Sequence, residues 1–150
     1  MLLCLSINDR APEIVRLKLG YHLLGVVHAN RLIMEAQHIP GLYQSGVRYR
    51  VDPTSAQQQR VLDCLEVLQD GAADCKSLAC YLLAGYRHAA RSEAEALAYD
   101  LAITWQDFDH DPLNVGLTPL GGICRVFHVC ISKPDGSLED PSARLKRAIA

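Results

Sequence analysis

Residues 71–79 read GAADCKSLA, and the junction Asp74-Cys75 decides how the rest of the chain is understood. From Cys75 onward apolar residues recur at helical spacing to about Ala89, with Leu78, Leu82 and, one turn on, Tyr86 on the inward face. Asp74 then precedes the first turn, where a carboxylate caps unpaired backbone N–H groups. A cysteine in that turn meets the positive end of the helix dipole and N–H groups without intrahelical partners. Both favour thiolate over thiol, the form that acts as a nucleophile. The backbone N–H of Cys75 is also placed to donate to an oxyanion when sulfur attacks a carbonyl. The plainer reading is that Cys75 is one of six cysteines that happens to open a helix, and position alone favours it.

Upstream, Asp52-Pro53-Thr54-Ser55 opens a predicted helix over about 55–69, with Ser55 as N-cap. Val61, Leu62, Leu65 and Leu68 form its apolar stripe, and Asp70-Gly71 ends it. Val47–Val51 (VRYRV) is short and extended. Residues 21–37 read as an amphipathic helix with Leu24, His28 and Leu32 on one face, stopped by Pro40. Residues 14–23 fit either the start of this helix or a strand.

Downstream the period changes to two. Leu97, Tyr99, Leu101 and Ile103 alternate with Ala98, Asp100, Ala102 and Thr104, which predicts a strand. A loop over about 106–122 leads to a second strand, CRVFHVCIS, then the turn Pro134-Asp135-Gly136 and a short strand, SLED. Pro141 follows, with a polar tail of helical potential. Helices first and an antiparallel sheet later predict an α+β fold, the nucleophile-bearing helix packed on a small sheet.

Within the second strand His128 interrupts an apolar run of Val126, Phe127, Val129 and Ile131. A lone strand histidine is more often structural than catalytic. The hairpin after it returns Glu139 and Asp140 beside the ring, and because strand neighbours face opposite ways only one of the two can reach the imidazole. That carboxylate would fix the tautomer and stabilise the imidazolium. His22, His28, His38, His88 and His110 lie in polar or helical settings, and their spacing suggests no metal cluster.

Singly these signals are weak, but in order they are specific. LYQSGVRYR, GAADCKSLA and FHVCISKPDGSLEDPS resemble, in turn, the Tyr-bearing strand, the Gly-x-x-Asp-Cys helix start and the His strand with following Asp-Pro-Ser of transglutaminase-like, papain-fold proteins, especially a small phage-encoded branch. The resemblance covers about 39–145 and leaves 1–38 as an N-terminal helical extension of a single domain, 1–150. It implies Cys75 as nucleophile, His128 as base and Asp140 as orienting acid, with Tyr49, or less favourably Trp105, as an aromatic oxyanion donor. It implies a thiol hydrolase or acyltransferase cleaving a peptide or isopeptide bond. Two alternatives are a cross-linking transglutaminase and a non-enzymatic virion or assembly protein that keeps the fold. Expected partners are a protein or peptide substrate and other phage structural proteins, in the bacterial cytoplasm or the virion. Ala73 stands where relatives commonly have Gly, which would strain a turn requiring positive φ. Lys76-Ser77 replaces a common acidic pair, and Lys76 would further favour thiolate.

The totals agree with one ordinary domain: 150 residues, 49% apolar, 21% charged, net charge -2. That charge supplies no electrostatic footprint for nucleic acid. MLLCLSINDR lacks a basic n-region and a cleavage site, so no signal peptide is expected. No apolar run approaches the roughly 18 residues of a membrane span. No cofactor or metal is expected. The cysteines besides Cys75, among them Cys64, Cys80, Cys124 and Cys130, are expected to be reduced and mostly buried.

Overall fold

The computed structural model describes residues 2–3, 12–51, 59–112, 122 and 124–145. Its longest element is α1, Pro12–Ala36, a 25-residue helix that includes the stretch also readable as a strand. Pro12 and Glu13 at its start suit the first turn, where a missing N–H costs nothing and a carboxylate meets the dipole. Its buried stripe is Val15, Leu19, Leu23, Val26, Val27 and Asn30. The expected face is therefore rotated away: His28 and Leu32 are exposed and Leu24 is half-buried. Among the described residues no helix is long and apolar enough to cross a membrane.

A 3-10 turn, Leu42–Gln44, leads to β2, Arg48–Tyr49. Before them in sequence lies β1, Leu2–Leu3, which pairs antiparallel with β3, Gln59–Arg60. Within the span where a helix was expected, 55–69, Gln59–Arg60 forms β3 instead, and Ser55 itself lies outside the described residues. The helix, α2, runs only over Cys64–Asp70. Asp63 sets that start: its Oδ1 accepts from the N–H groups of Leu65 and Glu66, at 2.9 and 3.0 Å, while Glu66 Oε2 accepts from Asp63 N–H at 3.0 Å. This is a reciprocal capping box, D-x-x-E, which satisfies two backbone donors at once. Cys64 and Val67 face the core, and Leu65 is 40% exposed. Gly71 ends α2 at φ 69°, the left-handed position that glycine fills without strain.

Next come β4, Ala72–Ala73, and α3, Cys75–Ala89. β4 pairs parallel with β2, Tyr49 opposite Ala73. Ala73 is thus extended, and the positive φ belongs to Gly71, so alanine before Asp74-Cys75 carries no strain. α3 is buried at every position from Lys76 to Ala84 because it lies between α1 and the main sheet.

The alternation predicted from Leu97 begins later. Glu93–Leu97 forms a short helix, α4, and Leu97 is 61% exposed. Ser92 caps it, accepting from Glu95 N–H at 3.1 Å; S-x-x-E is again a capping box in sequence, and it overrides the period-two pattern at this end. The strand β5 covers Asp100–Phe108 and pairs along its length with β6, Cys124–Ser132. β7, Leu138–Glu139, adds to β6, with Ile131 opposite Glu139, and α5, Pro141–Arg144, follows. The three-stranded antiparallel sheet β5-β6-β7 and the helices make an α+β architecture. Leu19, Leu23 and Val27 of α1, Leu78 and Leu83 of α3, and Val129 and Ile131 of β6 share one core, so α1 belongs to the same packed unit as the rest.

Candidate active site

Three elements converge at the start of α3. Asp74 caps the helix through Oδ1, which accepts from Ser77 N–H at 3.0 Å, and this cap fixes Cys75 in the first turn. The other oxygen, Oδ2, takes the ammonium of Lys76. Both side chains are buried, at 7% and 9% exposure. The charge of Lys76 is therefore engaged by its own neighbour, and its predicted help to a Cys75 thiolate is offset by the Asp74 carboxylate.

Cys75 is half-buried and hydrogen-bonds to His128 on β6. The far side of the ring is held by Asp140, whose Oδ2 accepts from Nε2 at 2.8 Å. Nε2 is engaged there, which leaves Nδ1 as the ring nitrogen open to Cys75. Oδ1 of Asp140 accepts from the Ser142 hydroxyl at 2.6 Å and from the N–H groups of Ser142 and Ala143 at 2.9 and 3.3 Å. The acid is thus also the N-cap of α5, and its orientation is fixed by the backbone it caps.

The charges follow from these contacts. The hydrogen bond to Cys75 raises His128 most; burial opposes it, and the bond to Asp140 adds to it, bringing the ring to about 9. Burial alone would raise Asp140, but Ser142 and His128 hold its carboxyl below the usual range. At neutral pH the site holds an imidazolium between a sulfur and a carboxylate. The buried thiols differ: burial pushes Cys64 up to about 11, and Cys80 higher still.

Tyr49 lies opposite Ala73 in the β2–β4 pair, two residues upstream of Cys75, and is half-buried. Trp105 pairs with Phe127, next to His128, so strand alternation turns it to the other face. There it stacks under the Arg16 guanidinium of α1, at 5.7 Å from the ring centroid. Trp105 is thereby removed as an oxyanion donor.

Two features were not read from the sequence. Cys130, half-buried and pushed up to about 11 by burial and then by Asp140 and Cys75, sits beside the triad. Its spacing from His128, two along a strand, was the available signal. Ser142 is the other, implicit in the Asp-Pro-Ser run because an N-cap aspartate engages the residue two on.

A cavity of about 350 Å³ lies elsewhere. Tyr81, Leu82, Gly85, Tyr86 and His88 line it from α3, roughly 9–20 Å along the helix from Cys75 at 1.5 Å per residue. It contains none of the three hydrogen-bonded residues, so the chemistry is assigned to the helix start. A smaller cavity of about 120 Å³, with Arg50, Arg60, Ala73, Asp74 and Ser77 in its wall, flanks that start.

Comparison with protein-family models, curated proteins and solved structures returned no match to this chain.

Proposed function

We propose that the chain is a thiol acyl-transfer enzyme of the transglutaminase-like, papain-fold kind, cleaving a peptide or isopeptide bond. The observation that carries the reading is the hydrogen-bonded series Cys75–His128–Asp140, assembled from a helix N-terminus, a strand and a helix cap. Cys75 sulfur, its proton passed to His128, attacks the carbonyl carbon, and the C–O π pair moves to oxygen. The N–H of Cys75, in the first turn of α3, steadies that oxyanion, and Tyr49 is the aromatic candidate for a second donor. The oxyanion collapses, the C–N bond breaks, and the imidazolium gives its proton to the leaving amine. Water, deprotonated by His128, then adds to the thioester and releases Cys75. Asp140 fixes the ring throughout.

Hydrolysis is favoured over transfer to an amine because the His128 side chain is 40% exposed, leaving water free access to the base. The resemblance to the small phage-encoded branch adds a setting, the infected bacterial cell or the virion, and a phage structural protein as substrate.

The test is Cys75→Ser. Volume and helix start are nearly kept, so folding stability should stay within about 1 kcal/mol. Turnover of a fluorogenic peptide panel and complementation in the native host should both be lost. Full complementation by Cys75→Ser would mean that the domain serves as a packing or docking element.

A further inference from the structure

The strand that carries His128 carries another potential metal ligand two residues on. Alternation puts Cys130 on the same face of β6, and Asp140 reaches that face from the end of β7, since Glu139 pairs with Ile131. A ring nitrogen of His128, Cys130 Sγ and a carboxylate oxygen of Asp140 all lie within 4.8 Å of one another, each half-buried. Zinc binds nitrogen, sulfur and oxygen at about 2.0–2.3 Å, so tetrahedral ligand atoms stand about 3.3–3.6 Å apart. Rotamer shifts of about 1 Å would close the cluster on an ion. A mixed thiolate, imidazole and carboxylate set suits borderline-soft zinc better than oxygen-seeking calcium or magnesium.

The surroundings orient the ligands. Ser142 and two backbone N–H groups hold Asp140 Oδ1, so Oδ2 is the oxygen presented to the cluster. Outer contacts of this kind fix ligand geometry in metal sites.

We propose that His128, Cys130 and Asp140 bind one zinc ion, with the fourth position facing Cys75, and that the bound ion switches the thiol off. On binding, the Cys130 proton and the ring proton at the coordinating nitrogen pass to solvent, and S–Zn and N–Zn bonds replace them. Coordination at Nε2 takes the ring from Asp140, and coordination at the other nitrogen takes it from Cys75, so one hydrogen bond of the series is lost in either case. The binding rests on the cluster alone, and only the switching rests on the reading of Cys75 as nucleophile.

The experiment uses the full chain, freed of metal and titrated with zinc against a chromophoric chelator, with iodoacetamide alkylation of Cys75 mapped by mass spectrometry in parallel. One zinc per chain is expected. Cys130→Ala and the near-isosteric Cys130→Ser should each lower affinity by at least about tenfold, the smaller effect known for outer-shell changes, while Cys124→Ala leaves it unchanged. Zinc should slow alkylation in the natural chain and not in the Cys130 variants. Absence of stoichiometric zinc, or equal affinity in a folded Cys130 variant, overturns the site; unchanged alkylation at saturating zinc overturns the switch. If zinc binds as expected but metal-free Cys75 alkylates like an ordinary thiol, the metal site stands and the enzyme reading fails.

Discussion

Glu139 and Asp140 are consecutive, yet they serve opposite sides of the sheet. Glu139 turns inward, where its two carboxylate oxygens accept from the Tyr43 and Tyr86 hydroxyls, each at 2.6 Å. Asp140 turns the other way, to His128 Nε2 at 2.8 Å. A single step along the strand separates a carboxylate that organises the core margin from one that holds the His128 ring, which makes the pair a natural internal control.

Asp140→Asn keeps an oxygen for capping α5 but permits the wrong imidazole tautomer. Turnover should fall by orders of magnitude, about 10⁴-fold in comparable triads, while denaturant stability changes by no more than about 1 kcal/mol. Asp140→Ala should lose the same turnover and additionally about 1 kcal/mol through the cap. Equal turnover in Asn and natural chains, measured on the peptide panel, would remove Asp140 from the mechanism.

The site was more legible than the elements around it. Asp74-Cys75 at a helix start, His128 in an apolar strand and Asp140 before Pro141 are local patterns, and α3 and β6 begin and run as their periodicity predicts. The helix starts follow cap patterns that an apolar stripe does not record: Asp63-x-x-Glu66 opens α2 and Ser92-x-x-Glu95 opens α4. The buried face of α1 depended on where α3 packs, which no spacing within 12–36 records. The Asp74–Lys76 pair was hidden similarly, because burial converts two surface-type residues into mutual partners.

His128 gives a pH signature. Its folded value, raised from 6.5 to about 9, means the charged ring contributes stability fully below pH 6.5, and that contribution disappears as pH rises through 9. In metal-free buffer the natural chain should lose denaturant resistance between these values relative to His128→Gln. Turnover should show an alkaline limb near 9, since the leaving amine needs the imidazolium proton. Titrating the His128 ring by NMR checks both, and the midpoint should drop in Cys75→Ala because the thiol is the largest influence on it. A midpoint below 7 in the natural chain would contradict the hydrogen-bonded series.

Lys76→Ala leaves the buried Asp74 carboxylate without its cation, and should cost about 3 kcal/mol by chemical denaturation. Lys76→Met with Asp74→Asn removes both charges while the amide oxygen still caps α3, and should recover most of that loss. If Lys76→Ala alone leaves stability untouched, the pair has no structural role and the lysine regains its place as an aid to the thiol.

Glu139→Gln removes charge from a carboxylate that is 12% exposed and engaged by two phenols, with Arg144 at 3.2 Å. The amide offers one acceptor where two hydroxyls donate, so a phenol must turn or go unpaired. Hydrogen bonds to charged groups contribute roughly 1.5–3 kcal/mol each, and a loss of about 2 kcal/mol at pH 7 is expected. Burial works against the Glu139 charge, but the two hydroxyls and the nearby Lys133 and Arg144 hold its pKa below the ordinary 4.5. Its contribution is therefore present above that value and fades as pH falls through the folded pKa, so the difference between the two chains should narrow in acid. Cys75 alkylation should change by less than about twofold, because sites on opposite faces with no shared partner act independently. Paired measurements of denaturation midpoint and alkylation rate decide it: a large fall in Cys75 reactivity in Glu139→Gln would show that the two faces are coupled, and that Asp140 does not orient His128 alone.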